Sequence, residues 1–225
     1  TRKESSAASD VYKRQDLYQI NMAESYWNDG IHERTAIFDL YFRNMPFNSG
    51  YAVFNGLKRV IDFIENFGFS DADIDYLKTI GYKDDFLSYL KNLKFTGNIR
   101  SMQEGELCFG NEPLIRVEAP LIQAQLIETI LLNIINFHTL IATKASRIRQ
   151  IAMNDTLMEF GTRRGQEIDA GLWGARAAFI GGFDSTSNVR AGKLFDIPVS
   201  GTHAHALVQT YGEEYTAFKK YAERH

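Results

Sequence analysis

Cysteine is almost missing from this chain of 225 residues. Its single thiol, Cys108, excludes an intrachain disulfide framework, supplies too few thiolates for a cysteine-based zinc site and suits a reducing cytoplasm. Excess positive charge is missing too. The 25 Lys and Arg against 28 Asp and Glu give a net charge of -3 and a pI near 6.0, so no global basic field points to nucleic acid or to an acidic membrane surface. The N-terminal TRKESSAASDVYKRQ lacks the apolar run of a signal peptide. The most hydrophobic window, Leu121–Phe137, is interrupted by Gln123, Gln125, Glu128, Asn133 and Asn136, which a bilayer span would poorly tolerate, so it reads as the buried helix of a soluble protein.

What is present is ordinary globular composition, 44% hydrophobic and 24% charged, which suffices for one large core or one and a half domains. Residues 1–15 are small, charged and aperiodic and read as disordered or foreign sequence. From Asp16, a plausible N-cap, DLYQINMAESYW has helical spacing. Thr35–Phe42 reads as a strand ending in a turn at Pro46, Asn48 and Gly50, and Tyr51–Phe67 as a helix. Ser70 caps an acidic helix with Asp73 at the capping-box position, and a third helix covers Asp84–Leu93. IRSM, ELCF and LIRVE are short strands between Asn98 and Glu118. Pro120 opens a long helix through Leu121–Met153, with His138 as the point where it could break.

Strand and helix then alternate: strand Thr156–Phe160, helix Gln166–Ile180, strand Gly182–Asp184, helix Asn188–Leu194, strand Ile197–Ser200 and a final helix after His205. Such alternation predicts parallel βαβ units. The expected fold class is α/β: an N-terminal α+β domain over 16–115, then the first βα units of an irregular β/α barrel over 116–225. These units are too few to close eight strands, so the chain reads as truncated.

Three pieces, EFGTRRGQ, GGFDSTSNV and SGTHAH, set Gly, Ser, Thr, Arg and His at the ends of the last three strands, where α/β proteins bind ligands. Arg163 and Arg164 offer planar forks for a carboxylate or phosphate, or equally a surface ion pair with Glu167 or Asp169. The serine-rich loop could cradle an anion, or simply cap a helix through Ser185 or Ser187. His203 and His205 could ligate a metal, though no third ligand is evident, or one could be a nucleophile or base. Lys144 and Arg147, one turn apart, read more readily as a solvated basic face, and Arg43 precedes the Pro46 turn.

Taken together, DLYQINMAESYW, FRNMPFNSGYAVFNGL, EPLIRVEAPLIQAQLIETILLN, TKASRIR, EFGTRRGQ, GGFDSTSNV and SGTHAH resemble the nicotinate phosphoribosyltransferase family, in the family's order from Asp16 to about Ala206. The resemblance implies a type II phosphoribosyltransferase, a homodimeric enzyme of NAD salvage. It would join nicotinate to phosphoribosyl pyrophosphate, giving nicotinate mononucleotide and pyrophosphate with ATP hydrolysis, and Mg2+ would accompany the leaving group. It implies that His205 is phosphorylated from ATP, with no catalytic role for His203. Arg163, and less directly Arg164, would meet the nicotinate carboxylate and the ribose phosphate. Phe160 would stack on the pyridine ring, with Tyr18 of a second subunit on its other face. Ser187 would contact the ring's polar substituent and Arg43 a phosphate across the dimer. Rival expectations are a nicotinamide or quinolinate phosphoribosyltransferase, or an inactive fragment of such an enzyme. Residues 1–225 alone are expected to be inactive or to aggregate while a full-length counterpart is active, and turnover of nicotinate by 1–225 would contradict this.

Overall fold

The computed structural model describes residues 15–224. The expectation of disorder for the N-terminal stretch falls on residues 1–14, outside the described residues, while Gln15 donates from Nε2 to the Leu126 carbonyl at 2.5 Å. Helix α1 spans Leu17–Asn28 and β1 spans Thr35–Leu40. Then follow β2 at Ala52–Val53, α2 at Leu57–Glu65, α3 at Asp71–Thr79 and α4 at Asp84–Asn92. Strands β3 at Asn98–Ser101, β4 at Leu107–Cys108 and β5 at Ile115–Pro120 lead into α5, Leu121–Ala152.

The central sheet has the antiparallel order β1-β5-β3, with Thr35 opposite Pro120 and Leu40 opposite Ile115. In β5 the alternation is strict: Ile115, Val117 and Ala119 are buried, and Arg116 and Glu118 are exposed. This is the period-2 pattern of a sheet with one wet face. The buried face packs under α5, and the same core takes in Phe54, Phe63, Phe67, Phe86 and Leu90 and runs on to Ile135.

Helix α5 is long and apolar enough to cross a membrane by length and composition, yet it is the core helix here, packing on α1, α2, β1, β2, β5 and a later helix. Its interrupting polar residues have internal work. The buried Thr143 and Thr139 hydroxyls accept from Val53 N at 2.9 Å and Asn55 N at 3.2 Å, and Gln123 Oε1 accepts from Thr96 N at 2.8 Å. It does not break at His138, because the run from Leu121 to Ala152 has neither Gly nor Pro and the imidazole is 1% exposed.

Other differences have equally local causes. The helix expected from Tyr51 begins only at Leu57, because Ala52–Val53 pairs with Leu107–Cys108 and Gly56 turns the chain at φ 111°. Phe54 had fitted the helical period by coincidence. Asp16 occupies the N-cap position of α1 without a capping hydrogen bond; its carboxylate instead accepts from the Thr129 hydroxyl at 3.4 Å. The Ser70–Asp73 capping box is present, with Ser70 N donating to Asp73 Oδ2 at 2.7 Å.

The second half supplies β6 at Met158–Glu159, α6 at Ile168–Ile180, β7 at Ser185–Thr186, α7 at Val189–Phe195, α8 at His205–Tyr211 and α9 at Glu214–Ala222. Strands β6 and β7 pair in parallel, and Thr186 forms a parallel bridge to Val199. The expected βαβ alternation is therefore present in a mixed α/β fold. The strand expected at Gly182–Asp184 lies one step later, because Gly182 turns at φ 107° and the Asp184 carboxylate accepts from Leu157 N at 2.7 Å.

The halves are joined by α5–α6 packing and by an ion pair. Arg176 on α6 grips Glu104 through both carboxylate oxygens, at 3.0 and 2.6 Å, and Glu104 also accepts from Gly56 N at 2.9 Å. Burial pushes the Glu104 pKa up, but the hydrogen bonds and charge of Arg176 outweigh it and leave the pKa below its usual value. The pair thus contributes stability above the unfolded-state pKa and loses it as pH falls through the lower folded-state one. Glu104→Ala would strand a guanidinium that is only 14% exposed. The expected cost is about 3 kcal/mol, read as a lower urea midpoint at pH 7.

Candidate functional site

Because β6, β7 and the Val199 segment run parallel, their carboxyl ends leave the sheet at one edge. Phe160, Ser187 and the Ser200–His205 loop all start there. That edge is where open α/β sheets place ligands, since the following helices begin beside it.

After β6 the chain runs through Phe160, 42% exposed, into a single 3-10 turn at Thr162–Arg164. Among the described residues, Arg163 and Arg164 are exposed and form no ion pair. The carboxylates that might have neutralised them are engaged elsewhere: Asp169 lies 3.6 Å from Arg59, and Glu167 accepts from Asp169 N at 3.0 Å as the cap of α6. Glu167 does so at φ 94°, a conformation an L-residue adopts only at a cost of about 1–3 kcal/mol.

The loop after β7 corrects the capping expectation. Neither Ser185 nor Ser187 caps α7; Asn188 does, its Oδ1 accepting from Ala191 N at 2.9 Å. Ser185 is turned inward, 7% exposed, with its hydroxyl unpartnered among the described residues. Ser187 is half-buried at the edge, held by its amide donating to the Glu159 carbonyl at 2.9 Å.

His205 is exposed and is the first residue of α8, after the N-cap Ala204. His203 is directed elsewhere, its ring 5.0 Å from Phe218 and 5.4 Å from Tyr221. Helix onset between them therefore separates two histidines that a strand would have set on one face. Among the described residues no three His, Cys, Asp or Glu side chains converge to hold a metal ion. The described residues thus offer no protein cage for Mg2+.

Tyr18, 48% exposed on α1, and Arg43, exposed in the turn after β1, are not on this edge. The structure brings together Phe160, the arginine pair, Ser187 and His205, and leaves Tyr18 and Arg43 on the N-terminal layer. Arg147, one turn beyond Lys144 on α5, lies near that turn, with Nη1 3.4 Å from the Phe47 carbonyl.

Several supporting residues were not singled out from the sequence. Arg149, near the end of α5, donates to the Gly182 and Asp155 carbonyls, both at 2.7 Å, and pairs with Asp184 at 2.5 Å. The Leu157 amide first and Arg149 second hold the Asp184 carboxyl below its usual range. Glu159 binds Gly161 N and the Thr186 hydroxyl. The glycine in EFG was the available signal: a Cβ at 161 would lie 2.6 Å from Glu159 Oε1.

His138 is buried with both ring nitrogens unpartnered among the described residues. Burial, and then the charges of Arg59 and Arg176, lower its pKa from 6.5 to about 3. It is neutral in the fold and charged in the unfolded chain between those values, so stability falls as pH drops through 6.5. From pH 7 to pH 5 the loss expected from this group is about 2 kcal/mol. His138→Phe should remove that slope in denaturation curves at the two pH values.

The family model of the nicotinate phosphoribosyltransferase (NAPRTase) N-terminal domain matches residues 14–136, more than half of the chain. A nicotinate phosphoribosyltransferase of Bacillus subtilis is 66% identical over 211 residues, which cover 93% of this chain and 43% of that one. Nicotinate phosphoribosyltransferase 2 of Arabidopsis thaliana is 44% identical over 87% of this chain and 36% of its own length. The crystal structure of human nicotinic acid phosphoribosyltransferase superposes with a TM-score of 0.82 at 39% identity, covering 87% of this chain and 40% of that one. The chain thus spans less than half the length of these relatives. It belongs to the nicotinate phosphoribosyltransferase N-terminal domain family.

Proposed function

We propose that the protein carrying this chain is an ATP-dependent nicotinate phosphoribosyltransferase of NAD salvage, acting in the cytoplasm as a homodimer. The observation that supports this most is the single edge at which Phe160, the unpaired Arg163 and Arg164, Ser187 and His205 leave the sheet. In this reading, residues 16–115 form an N-terminal domain and 116–225 the opening of the barrel.

Arg163 holds the nicotinate carboxylate, with Arg164 beside it. A planar guanidinium binds both oxygens of a carboxylate and offers an uncharged amide much less. Phe160 covers one face of the ring and Tyr18 of the second subunit covers the other. Ser187 contacts the ring's polar substituent, and Arg43 reaches a phosphate across the dimer. The pyridine nitrogen then attacks C1 of the ribose as the bond from C1 to the pyrophosphate oxygen breaks. That nitrogen already carries a lone pair, so the protein's task is alignment and charge stabilisation rather than base catalysis. His205 accepts a phosphoryl group from ATP as ADP leaves, and hydrolysis of that bond makes formation of the mononucleotide more favourable. Mg2+ is implied by the family alone, and the steps assigned to this chain's residues do not involve it.

The test is direct. The full-length protein, given nicotinate, phosphoribosyl pyrophosphate and ATP, is expected to release nicotinate mononucleotide and pyrophosphate. Absence of the mononucleotide would reject the proposal.

A further inference from the structure

The loop that would grip the ring and the loop that would read its substituent are joined by one carboxylate. Glu159 Oε1 accepts from Gly161 N, and Oε2 accepts from the Thr186 hydroxyl at 2.7 Å. Thr186 is fully buried, and its oxygen in turn accepts from Asn188 N at 3.0 Å. Asn188 Nδ2 reaches back to the Thr162 hydroxyl at 3.2 Å, closing the circuit on the first loop. The backbone repeats the link, since Ser187 N donates to the Glu159 carbonyl at 2.9 Å.

Each hydrogen bond in this circuit runs in the correct sense. Thr186 gives its only proton to the carboxylate and takes one from an amide, and the two partners of Glu159 meet separate oxygens, whereas a glutamine would present only one acceptor atom. A Cβ at 161 would lie 2.6 Å from Glu159 Oε1, so a side chain there would displace the carboxylate from the turn between Phe160 and Arg163. Two bonds to a carboxylate are stronger than neutral ones, and a polar network satisfied at every member is rigid.

We propose that Glu159 is a positioning residue that fixes the Phe160–Arg164 loop against the Ser187 loop, setting the slot in which the pyridine carboxylate is held. This rests on the nicotinate reading above. Glu159 touches no reacting atom; it acts through Gly161 and Thr186. Its loss therefore weakens capture of the pyridine far more than capture of phosphoribosyl pyrophosphate.

The experiment compares Glu159→Ala and Glu159→Gln with wild type in the full-length protein. Glu159→Ala is expected to raise KM for nicotinate about tenfold or more, with KM for phosphoribosyl pyrophosphate within about twofold. Glu159→Gln is expected to fall between, since its oxygen keeps the Gly161 bond while its amide cannot accept from Thr186. In the full-length protein, Glu159→Ala is expected to speed amide exchange at Gly161 about tenfold, and Glu159→Gln, which keeps the Gly161 bond, much less. If Glu159→Ala fails to fold, Glu159→Gln decides by the same two readouts. An active wild type whose variants keep its KM for nicotinate overturns this proposal alone, as does an equal rise in both KM values with a lower melting temperature. A wild type inert toward nicotinate overturns it together with the functional reading.

Discussion

His205→Ala is expected to abolish nicotinate-dependent ATP hydrolysis and to leave weak, uncoupled phosphoribosyl transfer. The imidazole is exposed at the first residue of α8, where a phosphoryl group could reach it from solvent. Phosphorylation forms a nitrogen–phosphorus bond as ADP leaves, and the resulting charge lies at the positive end of the helix. Hydrolysis of that bond later releases phosphate and makes synthesis of the mononucleotide more favourable. The control is His203→Ala. That ring packs against Phe218 and Tyr221, so the change is expected to loosen the contact with α9 while preserving ATP coupling. Unchanged ATP hydrolysis in His205→Ala would reject the phosphate-acceptor role.

Arg163→Ala is expected to raise KM for nicotinate by about 10- to 100-fold, the loss of a charge-assisted, two-pronged hydrogen bond. Arg163→Lys keeps the charge without the fork and is expected to recover only part of this. The use of nicotinamide, already poor, should change little, so the preference for the acid should shrink. Arg164→Ala is expected to act in the same direction with smaller size. Among the described residues neither arginine forms an ion pair, so no described carboxylate is stranded when either is removed. An unaltered KM for nicotinate in Arg163→Ala would place the carboxylate elsewhere.

Much of this architecture was legible in the sequence because local chemistry dictated it. The Ser70–Asp73 box, the strand in LIRVE and the long helix opened by Pro120 each appear as expected. Tertiary context accounts for what was misread. Phe54 is apolar at a helical spacing yet belongs to a β-pair with residues more than fifty positions away, which a local period cannot reveal. Asn188 rather than a serine caps α7 because it stands directly before Val189 with its Oδ1 on Ala191 N, while Ser185 is buried within β7.

The site divides in the same way. Small and basic residues at strand ends marked the edge, since binding loops need turns and polar groups there. The role of Glu159 is hidden because Thr186, on β7, is 27 residues away, and only the turn at Gly161 is local. The part-buried Glu104–Arg176 pair, 72 residues apart in sequence, was hidden for the same reason.

The most direct measurement is kcat/KM for nicotinate, nicotinamide and quinolinate with phosphoribosyl pyrophosphate, using the full-length protein. A single exposed carboxylate matched to Arg163, with one polar contact at Ser187, favours nicotinate over its amide by about 100-fold or more. A clear preference for nicotinate, stimulated by ATP, is the expected result. Equal or better use of nicotinamide or quinolinate would contradict the account.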